Sequence, residues 1–197
     1  MWGGATTDVH SVTEGSDAIQ RILVSPEPLA KRTVEGDLGV FVNLPHVVER
    51  IGIEELKKEF GNEITGFLEQ PKAIPENEME KRIVERLALE AAGTAVSRHA
   101  GKLRYLYGPS GKKTIAQGKD LTRVKFIIAT GGALTRLPGR NEIIKKLLFS
   151  GKDTDLYPPV ESKILIDNYY IMASLGVMWK KHENAAMYLM KKSLGLI

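Results

Sequence analysis

The sequence predicts an α/β fold, and three patterns along the chain carry that prediction. The nearly all-apolar run Val124–Ala129 has the length and composition of a strand that is buried on both faces. Apolar residues at helical spacing extend to about His99, and a short strand pattern, Lys163–Ile166, precedes two helical segments. Strands and helices that alternate along a chain favour an α/β architecture.

The composition is that of one globular domain, or of one large domain with a small appendage. The chain has 197 residues, of which 43% are hydrophobic and 26% are charged. It has no cysteine, which excludes disulfides, thiolate metal sites and a cysteine nucleophile. Neither a signal peptide nor an apolar run near the roughly 20 residues of a membrane span is visible. We therefore expect a cytoplasmic protein with no membrane partner.

The charge pattern does not favour nucleic acid as a partner, although the net charge is +4. Basic residues are interleaved with acids, as in the segment Glu54–Glu59, and such a pattern is typical of a solvated helix face. The four histidines show no ligand spacing, so no metal site is predicted among them.

The first hundred residues are predicted to pass from strand to loop to helix. Asp8–Val12 alternates as a strand does, residues 13–36 are polar and are predicted to form a loop, and residues 40–42 are predicted to form a short strand. A short amphipathic helix is expected at Ile53–Phe60, ending at Gly61. Asn77 and Glu80 resemble a capping box that opens a long helix. Its apolar stripe, expected to face the core, is Met79, Ile83, Val84, Leu87, Ala91 and Ala95.

A hairpin is predicted next, because two strand patterns flank the turn Gly108–Gly111. The turn resembles a P-loop but lacks its spacing, since Leu106 stands where a glycine is needed and Lys113 where Ser or Thr is needed. Helices are predicted around Arg140–Phe149 and, at the end of the chain, at about Tyr169–Lys181 and Glu183–Leu194.

Two glycine turns are candidate ligand sites. In the turn Gly3-Gly4-Ala5-Thr6-Thr7-Asp8, adjacent glycines allow main-chain N–H groups to converge on an anion. Thr6 and Thr7 can add hydroxyl donors, and a flanking carboxylate can hold a magnesium ion or its waters. The same residues are also compatible with an ordinary tight hairpin turn.

The second turn, Thr130-Gly131-Gly132, ends the apolar strand and precedes a helix. Ligands of α/β folds bind at the carboxyl ends of strands, and glycine there admits a flat purine or a ribose. The alternative is that the glycines only end the strand and allow the helix to begin. The order of the two turns, and their separation of about 125 residues, suit the second phosphate loop and the adenosine loop of the actin-like ATPase superfamily.

Four segments of the chain resemble one family within that superfamily, the MutL/GlmL accessory proteins of adenosylcobalamin-dependent glutamate mutase and aminomutases. These segments are Gly3–Val12, Arg32–Gly39, Gly118–Arg136 and Leu165–Gly176. The resemblance implies a ribonuclease H-like, actin-type ATPase lobe, with a mixed sheet and flanking helices. It also implies binding of ATP with magnesium, and a chaperone-like role in reactivating a cobalamin-dependent mutase, whose subunits would be partners.

By this resemblance Gly3, Gly4, Thr6 and Thr7 would approach the phosphates, and Gly131 and Gly132 the adenosine. Asp8 would orient the turn or a metal-bound water. Asp37 is a weaker candidate for a polar role near the phosphates, the alternative being an aspartate that forms its turn.

Family members also have an N-terminal half that carries a first phosphate loop, which this sequence does not show. We therefore expect residues 1–197 to be the C-terminal part of an actin-like ATPase domain, with a mainly helical insertion at about 43–100. Such a chain would bind ATP weakly and would not be a competent ATPase by itself. Two other functions remain open: an interaction module without nucleotide, and a kinase-like phosphotransferase acting on a small molecule.

Overall fold

The computed structural model describes residues 4–109, 111–148 and 152–197, and it confirms the α/β class. The strands are β1 Thr7–Val12, β2 Ala30–Glu35, β3 Lys102–Gly108, β4 Gly111–Gln117, β5 Phe126–Ala129 and β6 Lys163–Ile166. The helices are α1 Asp17–Gln20, α2 Leu44–Ile51, α3 Ile53–Phe60, α4 Glu63–Glu69, α5 Glu78–His99, α6 Gly132–Arg136, α7 Arg140–Leu147, α8 Met172–Trp179 and α9 Glu183–Ser193. Within the described ranges the strands form three two-stranded sheets, β1–β2, β3–β4 and β5–β6, and not one mixed sheet.

Helix α5 organises the core, as its apolar stripe predicted. The Oδ1 atom of Asn77 accepts a hydrogen bond of 2.8 Å from the Glu80 N–H and caps the first turn. The Glu80 side chain accepts from the N–H of Glu76, one residue before the position that a capping box would use. One face of α5 packs against α2, α3 and α4. The buried cluster comprises Leu38, Leu44, Val47, Leu56, Phe60, Ile64, Phe67, Ile83, Val84, Leu87, Ala91, Ala95 and Leu137.

The loop predicted for residues 13–36 is wrong, because Ala30–Glu35 is a strand. Strand β2 pairs antiparallel with β1 from Thr7↔Glu35 to Val12↔Ala30. The less exposed positions of β2 carry Lys31, Thr33 and Glu35. Because polar partners satisfy those side chains, β2 has no apolar alternation by which its sequence could reveal a strand.

Two other strand predictions need correction. Residues 40–42 form a bend and turn, since the main-chain N–H groups of Phe41 and Val42 both donate to the Gly4 carbonyl oxygen. The strand predicted at Val124–Ala129 begins at Phe126 and is not buried on both faces. Its side chains Phe126 and Ile128 are 56% and 44% exposed. Strand β5 pairs in parallel with β6, from Phe126↔Lys163 to Ala129↔Ile166.

The predicted hairpin and the predicted C-terminal helices are present, with small differences in their bounds. The β3–β4 hairpin has the register Lys102↔Gln117 to Gly108↔Gly111, and Ser110 lies outside the described residues. Helix α7 ends at Leu147, and Phe149 is also outside them. Helix α8 begins three residues later than predicted, because Tyr170 has a φ of +55° that no helix continues. No described helix is both long and apolar enough to cross a bilayer.

Candidate functional site

The first glycine turn lies against another turn of the chain, Gly36–Gly39. The Gly4 carbonyl oxygen accepts from the N–H groups of Phe41 and Val42 at 3.0 and 2.9 Å. A Cβ atom on Gly4 would lie 2.4 Å from the Cβ of Phe41, and one on Gly39 would lie 2.4 Å from the Gly4 carbonyl oxygen. Both positions therefore require glycine for close packing of main chain against main chain. Gly3 lies outside the described residues.

The polar side chains of the first glycine turn differ in their exposure and in the hydrogen bonds that they form. Thr6 is exposed, whereas the Thr7 hydroxyl donates a 2.6 Å hydrogen bond to the Leu38 carbonyl oxygen. The Asp8 carboxylate accepts a hydrogen bond of 2.7 Å from Arg32 on the neighbouring strand. Partial burial raises the pKa of Asp8, but the hydrogen bonds from Arg32 and Thr6 outweigh it, so that the pKa lies below its ordinary value. Asp8 is thus an anion near the start of β1.

Asp37 is held in the Gly36–Gly39 turn by a bidentate ion pair with Arg98 near the end of α5. Its two carboxylate oxygens each lie 2.8 Å from a guanidinium nitrogen, and Glu35 accepts from the same guanidinium at 2.5 Å. The hydrogen bonds from Arg98 hold the pKa of Asp37 below its ordinary value. Asp37 therefore fastens its turn to α5.

The second glycine turn, Thr130–Gly132, follows β5 as predicted, and the structure shows that this is the carboxyl end of a parallel pair, β5 with β6. Gly131 has a φ of +95°, and a Cβ atom added there would meet no atom within 4 Å. The turn is closed by a 2.9 Å hydrogen bond from the Thr135 hydroxyl to the Gly131 carbonyl oxygen, and Gly132 is buried as the first residue of α6. One side of the Gly131 main chain is consequently open, while the other end of the turn is fixed.

A buried carboxylate next to this turn was not found by sequence reasoning. Asp167 follows β6 directly, is 0% exposed, and continues the ladder by donating its N–H to the Ala129 carbonyl oxygen at 2.9 Å. Its Oδ2 accepts from the Thr130 hydroxyl and the Met172 N–H, both at 2.9 Å. Its Oδ1 accepts from the Ser193 hydroxyl at 2.5 Å and from the Ile171 N–H at 3.2 Å.

The four donors explain how a carboxylate can remain charged inside the protein. Burial raises the pKa of Asp167, but the hydrogen bonds from Ser193, from the N–H groups of Met172 and Ile171, and from Thr130 outweigh it and lower the pKa. Asp167 therefore ties the Thr130–Gly132 turn to the start of α8 and to the end of α9. The only signal in the sequence was its position after a strand, within a segment that resembles the family.

A second group of buried polar residues holds the β1–β2 hairpin. The Lys119 ammonium, on a side chain only 2% exposed, donates to the carbonyl oxygens of Thr13, Pro28 and Leu29. His99, at the end of α5, lies 3.0 Å from the Thr33 hydroxyl and 2.8 Å from the Ser11 hydroxyl. These contacts span long sequence separations, so no local pattern could reveal them.

Helix α5 contacts elements next to both glycine turns. Strand β1 and helix α6 both pack against α5, and Val9 and Ala133 contact the same buried cluster. In addition, the Gly139 N–H donates to the Glu85 carboxylate of α5 at 2.6 Å, which anchors the segment after α6. The elements that adjoin both turns therefore pack against the same helix.

Comparison with known proteins identifies the family. The sequence model described as MutL protein matches residues 2–194. The chain belongs to the MutL family. Protein MutL of Clostridium tetanomorphum is 34% identical to it over 201 residues, which cover 98% of this chain and 44% of that protein. This MutL-family chain thus spans less than half the length of that curated relative. No solved structure matches it significantly.

The family assignment confirms the resemblance that the four sequence segments indicated. It does not extend to the actin-type fold, since no solved structure matches the chain. The roles assigned to Gly3, Gly4, Thr6, Thr7, Gly131 and Gly132 stay predictions.

Proposed function

We propose that this chain forms a nucleotide-binding lobe of an accessory protein that reactivates a cobalamin-dependent mutase. Membership of the MutL family supports the accessory role. The resemblance of the two glycine turns to the phosphate and adenosine loops of actin-like ATPases supports the nucleotide. The actin-type fold is part of the proposal. The nucleotide would be ATP with magnesium, and the partners would be the subunits of the mutase.

The observation that carries the proposal is the form of the Thr130–Gly132 turn. It lies at the carboxyl ends of two parallel strands, where α/β folds bind ligands. Space is open at Gly131, so a flat base or a ribose can approach its main chain. Asp167 fixes the opposite side of the turn through Thr130, and such support is what keeps a binding turn in place before its ligand arrives.

The first turn would contribute to the phosphates through the exposed residues near Gly4 and Thr6. Asp8, which is charged and exposed, would orient magnesium-bound water there. Asp37 takes a positioning role in the proposal, because both of its oxygens are engaged by Arg98. When bound, magnesium would neutralise phosphate charge. The chain's own residues would hold and orient the nucleotide.

Titration with a fluorescent ATP analogue, with and without magnesium, tests nucleotide binding. Gly131→Val should weaken binding at least tenfold, because the side chain would fill the open space and strain a φ of +95°. Gly195→Val is a matched control, since Gly195 also has a positive φ, +66°, and open space around its Cβ position. Failure of the unmodified chain to bind ATP at millimolar concentration would refute this part of the proposal.

The accessory role needs a separate test, because a lobe could bind nucleotide and serve another partner. The chain, carrying an affinity tag, should retain subunits of a cobalamin-dependent mutase from the cells that produce both, and ATP should change the amount retained. Retention of no mutase subunit in either condition would contradict the accessory role and would leave nucleotide binding standing.

A second candidate function is an interaction module that needs no nucleotide. One observation favours it: the α8–α9 hairpin exposes large apolar side chains, with Val177 78%, Tyr188 57% and Trp179 40% exposed. Of the residues of α8, only Leu175 is buried. Mutase retention that is insensitive to ATP, combined with no nucleotide binding, would favour this candidate.

A further inference from the structure

A cleft of about 400 Å³ opens beside helix α5, on residues that belong to neither glycine turn. It lies between α5, the end of α7 and the segment that contains Asp155 and Tyr157. Its volume is within the range of about 300–1,000 Å³ that small-molecule sites occupy. The cleft is large enough for a small metabolite.

The lining of the cleft is strongly basic. Among the described residues, five cationic side chains contribute to it but only two carboxylates do, those of Glu90 and Asp155. The cations are Arg50, Arg98, Lys102, Lys146 and Lys152. Clefts lined by one sign of charge concentrate ligands of the opposite sign, so this cleft favours an anion.

The cations differ in how they are already paired. Arg50 lies 3.7 Å from the Glu90 carboxylate, and Arg98 is engaged by Asp37. Lys102 on β3 and Lys146 on α7 form no ion pair with any residue in the described part of the chain. These two lysines reach the cleft from different elements, and Lys146 also attracts the Glu142 carboxylate of α7 without forming an ion pair with it. Two lysines and two arginines that line one cleft suit a group with several anionic oxygens, such as a phosphate.

Two polar side chains of the cleft, Asp155 and Tyr157, bear on which further groups the ligand carries. The Oδ1 atom of Asp155 is buried and has no hydrogen-bond partner in the described ranges. A buried acceptor without a donor costs free energy, and Asp155 is one of the residues that line the cleft. Burial raises the pKa of Tyr157 in the same lining, against a hydrogen bond with Ser97 that lowers it. A tyrosine phenol can donate to an anionic oxygen.

We propose that this cleft binds a small phosphate ester that carries hydroxyl groups, at a site separate from the nucleotide turns. Lys102 and Lys146 would neutralise the phosphate, Tyr157 would donate to it, and Asp155 would accept a hydrogen bond from a ligand hydroxyl. Binding should weaken as the salt concentration rises, because both lysines are at or near the surface.

Calorimetric titration of the chain with four probes tests the chemistry of the ligand. The probes are glycerol 3-phosphate, ribose 5-phosphate, inorganic phosphate and ribose. The two esters should bind, at least fivefold tighter than inorganic phosphate, and ribose should not bind. Equal affinity for inorganic phosphate would refute the preference for an ester and indicate a site for free phosphate. No binding of any probe would overturn the site altogether.

Charge reversal tests the location. Lys146→Glu should weaken ester binding at least tenfold, and Lys102→Glu, on a different element, should do the same. Lys145→Glu is the matched control, because Lys145 is the neighbouring residue of α7 and pairs with Glu142 away from this lining. Unchanged melting temperatures show that the variants fold. An equal loss in the control would overturn the assignment, since it would report only the overall charge.

A last variant separates this site from the proposed nucleotide turn. Thr6→Val changes an exposed residue of that turn and should leave ester binding unchanged. If Thr6→Val weakens the ester as much as Lys146→Glu does, the ester binds at the turn and the inference fails. Loss of ATP binding in Thr6→Val, with ester binding kept, would support both sites independently.

Discussion

Asp167→Asn is expected to destabilise the protein by about 2–3 kcal/mol at neutral pH. Each carboxylate oxygen of Asp167 accepts one main-chain N–H and one hydroxyl hydrogen bond. An asparagine amide can replace one oxygen but presents an NH2 group at the other position. The hydroxyl of Thr130 or Ser193 can rotate and accept from that NH2 group, whereas a main-chain N–H cannot. One buried N–H is therefore left without an acceptor, and the bonds that remain lose the charge that strengthens them.

Urea unfolding and thermal melting measure this loss, which should lower the melting temperature by roughly 5–10 °C for a chain of this size. Asp153→Asn, at an exposed position, is the control and should change stability by less than about 0.5 kcal/mol. The difference between wild type and Asp167→Asn should shrink as the pH falls below about 4, because the pKa of Asp167 is lowered in the folded state. A variant as stable as wild type at pH 7 would refute the assignment of four hydrogen bonds.

The remaining predictions concern other contacts of the same core. Burial lowers the pKa of His99 to about 4. The free energy of unfolding should therefore fall by about 2 kcal/mol from pH 7 to pH 5, because the unfolded chain takes up the proton first. In urea titrations His99→Gln should remove that difference, whereas the control His46→Gln, at an exposed position, should keep it. Gly39→Ala should cost about 1–3 kcal/mol because its Cβ would lie 2.4 Å from carbonyl oxygens, whereas Gly36→Ala, with open space, should cost less than about 1 kcal/mol by the same assay. Lys119→Met should cost about 3 kcal/mol or more, since three main-chain carbonyl oxygens lose their donor; an unchanged urea midpoint would contradict this reading.

The elements that the sequence predicted correctly are those whose signals are local. Helix α5 was predicted because its apolar residues repeat at the helical period and Asn77 caps its first turn. Helix α3 ends at Gly61, as predicted, where a φ of +66° favours glycine. The β3–β4 hairpin was predicted from two strand patterns around a glycine-containing turn. In each case neighbouring residues alone specify the conformation.

The elements that the sequence missed depend on partners far along the chain. Strand β2 has polar residues at its less exposed positions, and they are satisfied by residues such as His99 and Arg98 of α5. Residues 40–42 look like a strand because they are apolar, yet hydrogen bonds to Gly4 bend them into a turn. The face of β5 that carries Phe126 and Ile128 is exposed, although its composition matched a fully buried strand. The composition of a strand shows how apolar it is, but it does not show which other elements cover its two faces.

The candidate site shows the same division. The Thr130–Gly132 turn was predicted, because a strand that ends in two glycines is visible in the sequence. Asp167, which holds that turn, was not, since an aspartate after a strand has no pattern that distinguishes it from one in an ordinary loop. Arg98 was likewise not singled out, although it fixes the Asp37 carboxylate. Supporting residues of this kind act through contacts between parts of the chain that are far apart in sequence, and the linear order of residues does not show those contacts.

The sequence by itself determined the α/β class, the long central helix, the two glycine turns and the resemblance to the MutL family, because local periodicity and short motifs encode each of them. Only the tertiary structure decided how these parts are held: the Gly4 turn packed on Gly39, the Thr130 turn fastened by Asp167, and the basic cleft beside α5. The physical reason is that buried hydrogen bonds and charge clusters join residues tens of positions apart, and their energies depend on burial and distance.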